Sequence, residues 1–460
     1  MIILNTFLLL LATAFAAEEV NTYLIFKNVD RSIDLTSQLV KITSTITLEN
    51  AGKDAIKNFL VVDEPKANGK VAYRGVKDSA KQDLNLLPVQ VEGNDQKKYH
   101  KVILRQNLEP GRTATVVLEE ILARALEPYP SSIAQKEKQL VRYFGNHYMY
   151  SPYTVAKQKT EVVLSLRSVE NYTKLKPVTQ SDNVITYGPY TDVKPYTEDQ
   201  LIVHYENNAP FLTVTNLHRL IEVSHWGNIA IEEEIEIKHT GAKLKGPFSR
   251  YDYQRDTVNS QHSIKSYVTV LPATAHSIYY RDSNGNISTS AVKHRKDWIE
   301  LELRPRFPLF GGWQSSYTLG YSVPSYQYLY RTAEGQNVLT MRFIDHVFDD
   351  MYVEDVTTSI VLPVGVSDVK LVTPYQVERL RDDVKYKYLD NMGRQVLRLR
   401  RKDLVEHHIQ DFEITYSWQP QLLLHEPLML SLALFIVFLA VIVWVRLDFS
   451  LGVPEHSKKE

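Results

Sequence analysis

Two short strings in this 460-residue chain have the residue types and spacing to accept a covalent group. Asn286-Ile-Ser288 and Asn171-Tyr-Thr173 are Asn-x-Ser/Thr glycan acceptors. Asn286 lies beside an expected exposed hairpin turn, and Asn171 follows an expected strand at 161–166. Other candidate chemistry is weaker. Asp282-x-Asn284-x-Asn286 starts like a calcium loop, but Ile287 stands where the sharp bend requires Gly, so a polar turn is expected. His407-His408 on a strand would point to opposite faces, so the pair is expected to be solvated rather than metal-binding. Among Glu232–Glu234 only the first and third share a face, and acid/base work lacks a partner motif. No HExxH, GxSxG, Walker or GxGxxG string occurs. The absence of Cys excludes disulfides, thiolate metal sites and thiol catalysis. No catalytic, cofactor-binding or metal residue is assigned, and no cofactor is implied.

The run Arg398, Arg400, Arg401 and Lys402 is basic, but is expected as a solvated strand or an edge guarded by charge. Across the chain 53 Lys plus Arg meet 54 Asp plus Glu, a net charge of −1 that argues against a nucleic-acid partner. The 28 Tyr, 15 Phe and 5 Trp favour strands. They crowd in two blocks. One is Gly246–Arg255 (GPFSRYDYQR); the other runs from Arg304 through Trp313 to Tyr317, Tyr321, Tyr326, Tyr328 and Tyr330. Such side chains either fill a sandwich core or offer a partner protein or extended peptide an apolar surface with polar tips.

The elements that must position these residues lie between two apolar segments. Residues 1–16 read as a signal peptide, with Ala14 and Ala16 as the small residues before cleavage. Leu428–Val445 is uncharged, and its 18 residues span roughly 27 Å, close to a bilayer core. No Lys or Arg occurs from His408 to Pro427, whereas Arg446, Lys458 and Lys459 follow the span. The positive-inside rule then predicts a type I protein with residues 446–460 as a short cytosolic tail.

Alternation predicts strands at Leu39–Leu48, Glu161–Leu166, Ile229–Ile237, Trp298–Leu303 and Phe412–Tyr416. Asn284-Gly285 predicts a hairpin between Ser277–Arg281 and Ser288–Lys293. Helices are expected over Leu118–Leu126 and from a capping box at Ser132 and Gln135 into SIAQKEKQLVRYF. The two halves also echo each other. Asn28-Val-Asp-Arg31 matches Asn216-Leu-His-Arg219, Leu140–Phe144 matches Leu339–Phe343, and LIVHY at 201–205 matches FEITY at 412–416. A tandem duplication follows, mainly β with a few short helices: two sandwich-like domains at 17–210 and 211–421, then one transmembrane helix.

Longer strings carry a resemblance to a known family. HWGNIAIEE at 225–233, KHTGAKLKGPFSRYDYQR at 238–255, RPRFPLFGGW at 304–313, PSYQYLY at 324–330, MRFIDHVFD at 341–349 and LVEHHIQD at 404–411 closely resemble the ribophorin I family. FGNHYMYSPY at 144–153, VHYENNAPFLTVT at 203–215 and VRLDFS at 445–450 extend the match. The resemblance implies a noncatalytic subunit of the endoplasmic-reticulum oligosaccharyltransferase complex. That complex moves a preassembled glycan from dolichyl diphosphate to Asn in Asn-x-Ser/Thr of nascent polypeptides. Catalysis and its divalent metal would then belong to a different, multi-spanning subunit. The partners implied are the other subunits and the nascent polypeptides, and the place is the endoplasmic-reticulum membrane with most of the chain in the lumen. Animal members carry a long charged cytosolic region after the span, so the short tail here departs from them. A single-pass cell-surface adhesion protein with two β-sandwiches is the alternative reading of the same architecture.

Overall fold

A computed structural model describes residues 19–91, 97–255, 262–387 and 390–447; the expected signal peptide and the tail from residue 448 lie outside the described residues. The chain is mainly β, with one long C-terminal helix, His425–Arg446. Every strand predicted from alternation is present, with ends shifted by a few residues where neighbouring backbone extends the ladder.

The first large sheet is centred on Leu24–Leu35. Val40–Asn50 pairs with it antiparallel, followed outward by Thr113–Leu122 and Val71–Asp78. On its other side Val155–Leu164 runs parallel, followed by Val184–Val193 and Val178–Ser181. The second large sheet repeats this order. Leu212–Val223 is central, with Asn228–His239, Gln314–Pro324 and His276–Asp282 on the antiparallel side. Parallel Tyr352–Val361 lies on the other side, followed by Arg394–Val405 and Glu378–Arg379. Each half adds a four-stranded and a three-stranded sheet in matching order. Parallel pairing in register puts Arg31 beside Thr160 and Arg219 beside Thr358, so the sequence echo at the two arginines is also a structural one.

Alternate residues of each central strand turn inward. Val29 and Ile33, and in the second half Leu217 and Ile221, are fully buried. At roughly 1.5–3 kcal/mol for each buried large aliphatic side chain, these layers supply the driving force for each core. The halves meet head to tail. The turn after Leu35 at the end of the first large sheet abuts the start of the second, where Gln38 donates to the carbonyls of Leu212 and Asp350 at 2.6 and 2.9 Å. Leu39, Ile121 and Ala123 bury there against Tyr352 and Val405.

Both expected helices are strands instead. Thr113–Leu122 lies between Val40–Asn50 and Val71–Asp78, so its backbone groups are satisfied by two neighbours. Leu118, Ile121 and Leu122 have helical spacing, but the pairing available on both flanks prevails over it. The Ser132 capping box is not formed because Gln135 is engaged elsewhere. Its amide donates to the Ser249 carbonyl at 3.0 Å and accepts from the Ser249 N–H at 2.9 Å. Ser132–Ile133 becomes a short strand beside Lys243–Leu244 of the other half, and Leu140–Asn146 a longer one.

The hairpin at Asn284-Gly285 closes one residue early. Asp282 pairs with Gly285, leaving Ser283-Asn284 as the loop and Gly285 at φ 118°. The return strand is only Gly285–Asn286, because Ala291–His294 departs to pair with Trp298–Leu303 in the three-stranded sheet.

Candidate functional site

Both sequons lie at sheet margins. Asn286 is exposed on the short return of its hairpin, opposite Arg281. The Arg306 guanidinium spans the same turn, reaching the Gly285 carbonyl at 3.1 Å. Asn171 is exposed on the edge strand Val169–Tyr172, opposite His204. Its sequon hydroxyl, Thr173 Oγ1, accepts the Ile202 N–H at 3.0 Å, which fixes the acceptor string against the sheet.

The aromatic blocks divide by position. Tyr317 and Tyr321 on Gln314–Pro324 face the core, whereas Tyr326 and Tyr330 beyond the strand are exposed. Phe248, Phe310 and Trp313 cluster with ring centroids 5.5–5.7 Å apart, joining the two aromatic blocks edge to face. A Cβ on Gly311 would collide with the Ala242 carbonyl, so only glycine allows this close approach of the Arg304–Trp313 loop.

Beside Tyr321 is a group that motif reading missed. Arg219, Glu233 and Asp345 are each no more than 1% exposed. Arg219 Nη1 donates to Glu233 and, at 2.8 Å, to Asp345 Oδ2, which also accepts the Tyr321 hydroxyl. Burial raises Glu233 to about 7; Arg219 pulls it down and the charge on Asp345 pushes it up. In the first half the equivalent Arg31 faces Ser44, donates to the Asn146 carbonyl at 2.7 Å and pairs with one acid, Glu64, at 3.3 Å, whereas Arg219 meets two. Two signals were readable in the strands. Arg219 sits in phase with inward Leu217 and Ile221, and Glu233 in phase with Ile231 and Ile235. A cavity of about 290 Å³ opens beside the cluster, with Tyr328, Tyr330, Arg342 and Asp411 in its wall.

The histidine pair is neither on a strand nor jointly solvated. It lies in the turn Glu406–His408 at the seam between the halves. His407 stacks on Tyr73 of the first half with centroids 4.4 Å apart. His408 is buried; its Nδ1 accepts the Val405 N–H at 3.1 Å and Arg401 stands 3.1 Å from its Nε2. Burial, then the Arg401 charge, lowers His408 to about 3, so it is neutral. Arg401 stacks over Tyr375 at 4.2 Å and Arg400 holds Asp355, so these two are engaged, whereas Lys402 is exposed as expected. Its strand is flanked by the short strands Glu378–Arg379 and Asp383–Lys385, so it is not itself the edge. Glu232 accepts from Tyr279 and lies 3.5 Å from Arg281, a structural use of the exposed carboxylate face.

Among the described residues His346, Asp349 and Glu406 could reach one cation together. Glu406 Oε1, however, already accepts the Asp350 N–H at 2.6 Å, and Asp349 is 90% exposed. The geometry is that of a seam contact.

The long helix is rooted in the second half. Trp418 donates its indole N–H to the Val364 carbonyl at 3.0 Å and stacks on His225 at 3.7 Å. His425 Nε2 lies 2.9 Å from Asn391 Oδ1, and Arg394 bonds Glu426 at 2.6 Å. Beyond this root no helix residue is buried, although the uncharged stretch from Leu428 to Val445 is apolar on every side. Such a surface suits lipid or partner helices rather than water. Ser431, Ala433 and Ala440 are its small residues.

Comparison with known proteins covers nearly the whole of this arrangement. A family model described as Ribophorin I matches residues 24–445. The chain is 41% identical over 429 residues to dolichyl-diphosphooligosaccharide–protein glycosyltransferase subunit 1 of Caenorhabditis elegans, spanning 92% of this chain and 72% of that one. It is 37% identical over 433 residues to subunit 1B of Arabidopsis thaliana, spanning 92% and 93%. With subunit 1A of the same plant it shares 35% identity over 465 residues, spanning 99% and 75%.

Proposed function

The chain belongs to the ribophorin I family, and from that membership we propose that it is a noncatalytic subunit of the oligosaccharyltransferase complex. The observation that carries this reading is the extent of the match, which includes both β halves and the helix. The complex transfers a preassembled glycan from dolichyl diphosphate to Asn in Asn-x-Ser/Thr of nascent polypeptides. A multi-spanning subunit performs the transfer, and this chain assists assembly and holds polypeptides near it. The helix crosses the endoplasmic-reticulum membrane once and docks on partner helices. Residues 17–210 and 211–421 form two luminal domains, the orientation that Arg446 after the span favours. The head-to-tail seam and the rooted helix support this role, since a scaffold has to hold its contacts in fixed relation.

Affinity purification of the full chain in mild detergent, followed by transfer from a dolichyl-linked donor to an Asn-x-Thr peptide, tests the proposal. Co-elution of several subunits with metal-dependent transfer is expected. A stable, solitary and inactive chain from well-preserved membranes would overturn it.

Asn286 and Asn171 carry glycans in this reading. Each of N286Q and N171Q is expected to remove one step of electrophoretic mobility that an enzyme specific for high-mannose glycans also removes. Resistance to that enzyme would indicate passage through the Golgi and count against residence in the endoplasmic reticulum.

A further inference from the structure

At the far end of the second large sheet, strand register brings several turns into one row. Pro324 pairs with Asn228, Val223 with Ile229, Glu222 with Val361, Val361 with Val396, and Lys385 with Arg394. The turns beyond these pairs therefore share one end of the sheet. They carry Tyr326, Trp226, Tyr386 and Met392, each between 54% and 73% exposed. Ser325 donates its N–H to the Gly227 carbonyl at 3.0 Å, which brings the first two turns together. The long helix leaves from the same row, since Trp418 stacks on His225 and His425 meets Asn391, next to Met392.

The repeat indicates that this is a covered end. In the first half the equivalent turn, 36–39, is occupied by the start of the second half through Gln38 and Leu39. In the second half the same end is open and presents aromatic rings instead. We propose that lipid headgroups cover it, with Trp226, Tyr326, Tyr386 and Met392 set in the bilayer interface around the root of the helix.

Two physical facts select lipid as the occupant. The first is continuity with the span. The uncharged stretch begins at Leu428, and Trp226 lines the same cleft as His425 and Glu426, about one helical turn away. Trp and Tyr prefer that depth, where an apolar ring and a polar tip are both solvated. The second is charge. Lys385 and Lys387 both hold Glu222, at 2.8 and 2.5 Å, and Arg394 holds Glu426. The bases beside the row are thus paired, so contact comes from ring insertion, and zwitterionic lipid is sufficient.

The proposal rests on His425–Arg446 spanning a membrane, and the test separates the two. Because the chain has no Cys, a single introduced one can carry a nitroxide. The full chain with Y326C, Y386C, F435C or Y251C is placed in phosphatidylcholine vesicles, and accessibility to oxygen is compared with accessibility to an aqueous nickel chelate. Tyr251 is the exposed reference away from the row, and Phe435 the reference within the span. Labels at 326 and 386 are expected to favour oxygen over nickel relative to 251, and less strongly than 435. If they match 251 while 435 is deep, the span stands and the lipid contact is overturned. Shielding of both labels from both reagents would assign the end to protein and equally overturn it. A water-accessible 435 would remove the span and the proposal together.

Discussion

Replacing Arg219 with alanine is expected to destabilise the second half by about 3–5 kcal/mol, the cost of leaving buried charges without their partner. Arg219 is the only cation among Glu233, Asp345 and the Tyr321 hydroxyl as described, and all of these are buried. Without it two carboxylates face each other in a low-dielectric interior, and one must take up a proton or the sheet must open. For a unit of about 200 residues this corresponds to a melting temperature lower by roughly 10 °C. Thermal unfolding of the purified full chain in detergent, followed by circular dichroism, measures it. R219M combined with E233Q and D345N should recover most of the loss, because burying neutral groups of similar shape avoids the unpaired charges. If R219A unfolds within a degree of the parent, the cluster does not bind the second half together.

The second large effect is with pH. His239 is fully buried with both ring nitrogens in use: Nε2 donates to the His262 carbonyl at 2.6 Å and Nδ1 accepts the Gly241 N–H at 3.1 Å. Burial lowers it to about 4, and burial with Arg401 lowers His408 to about 3. Both folded values lie below the unfolded 6.5, so the unfolded chain binds these protons first. Stability contributed by each is complete above pH 6.5 and falls as the pH drops toward the folded value. By pH 4 each costs about 3 kcal/mol, at 1.36 kcal/mol per unit. Glu233 has the opposite sign. Its folded value of about 7 exceeds the unfolded 4.5, so stability rises as the pH falls through that interval. It opposes the histidines in sign, one group against two, and a net loss on acidification is expected. Urea midpoints between pH 7.5 and 4.5 should therefore fall for the parent and fall more steeply for E233Q. Parallel profiles would show that Glu233 does not titrate there, and a flat parent profile would deny the buried neutral histidines.

The strands were legible because one alternation serves both burial and pairing, as in Ile229–Ile237, where every second residue but one is Ile. The exception was the informative residue: Glu233 at an inward position needs a buried partner, and Arg219 is the inward charge on the adjacent strand. Motif searching passed over both because neither belongs to a string. Leu118–Leu126 reads as a helix because apolar residues three and four apart fit one, and only long-range pairing decides otherwise. His407-His408 reads as strand because the turn at Glu406 has no Gly or Pro to mark it. The aromatic blocks stayed ambiguous because Tyr is suited to either environment; strand ends alone separate Tyr321 from Tyr326. The match between the two sheets, by contrast, was already visible in Arg31 and Arg219.

The head-to-tail seam sets an elevation. Central strands of 12 residues, at about 3.3 Å per residue, make each half roughly 40 Å long, and the two meet end to end above one helix. The free end of the first large sheet, at Leu24, is thereby held tens of ångströms above the anchor. Any rocking at the foot is magnified along that lever, so a partner that grips the upper half steadies the whole far better than one that grips the base.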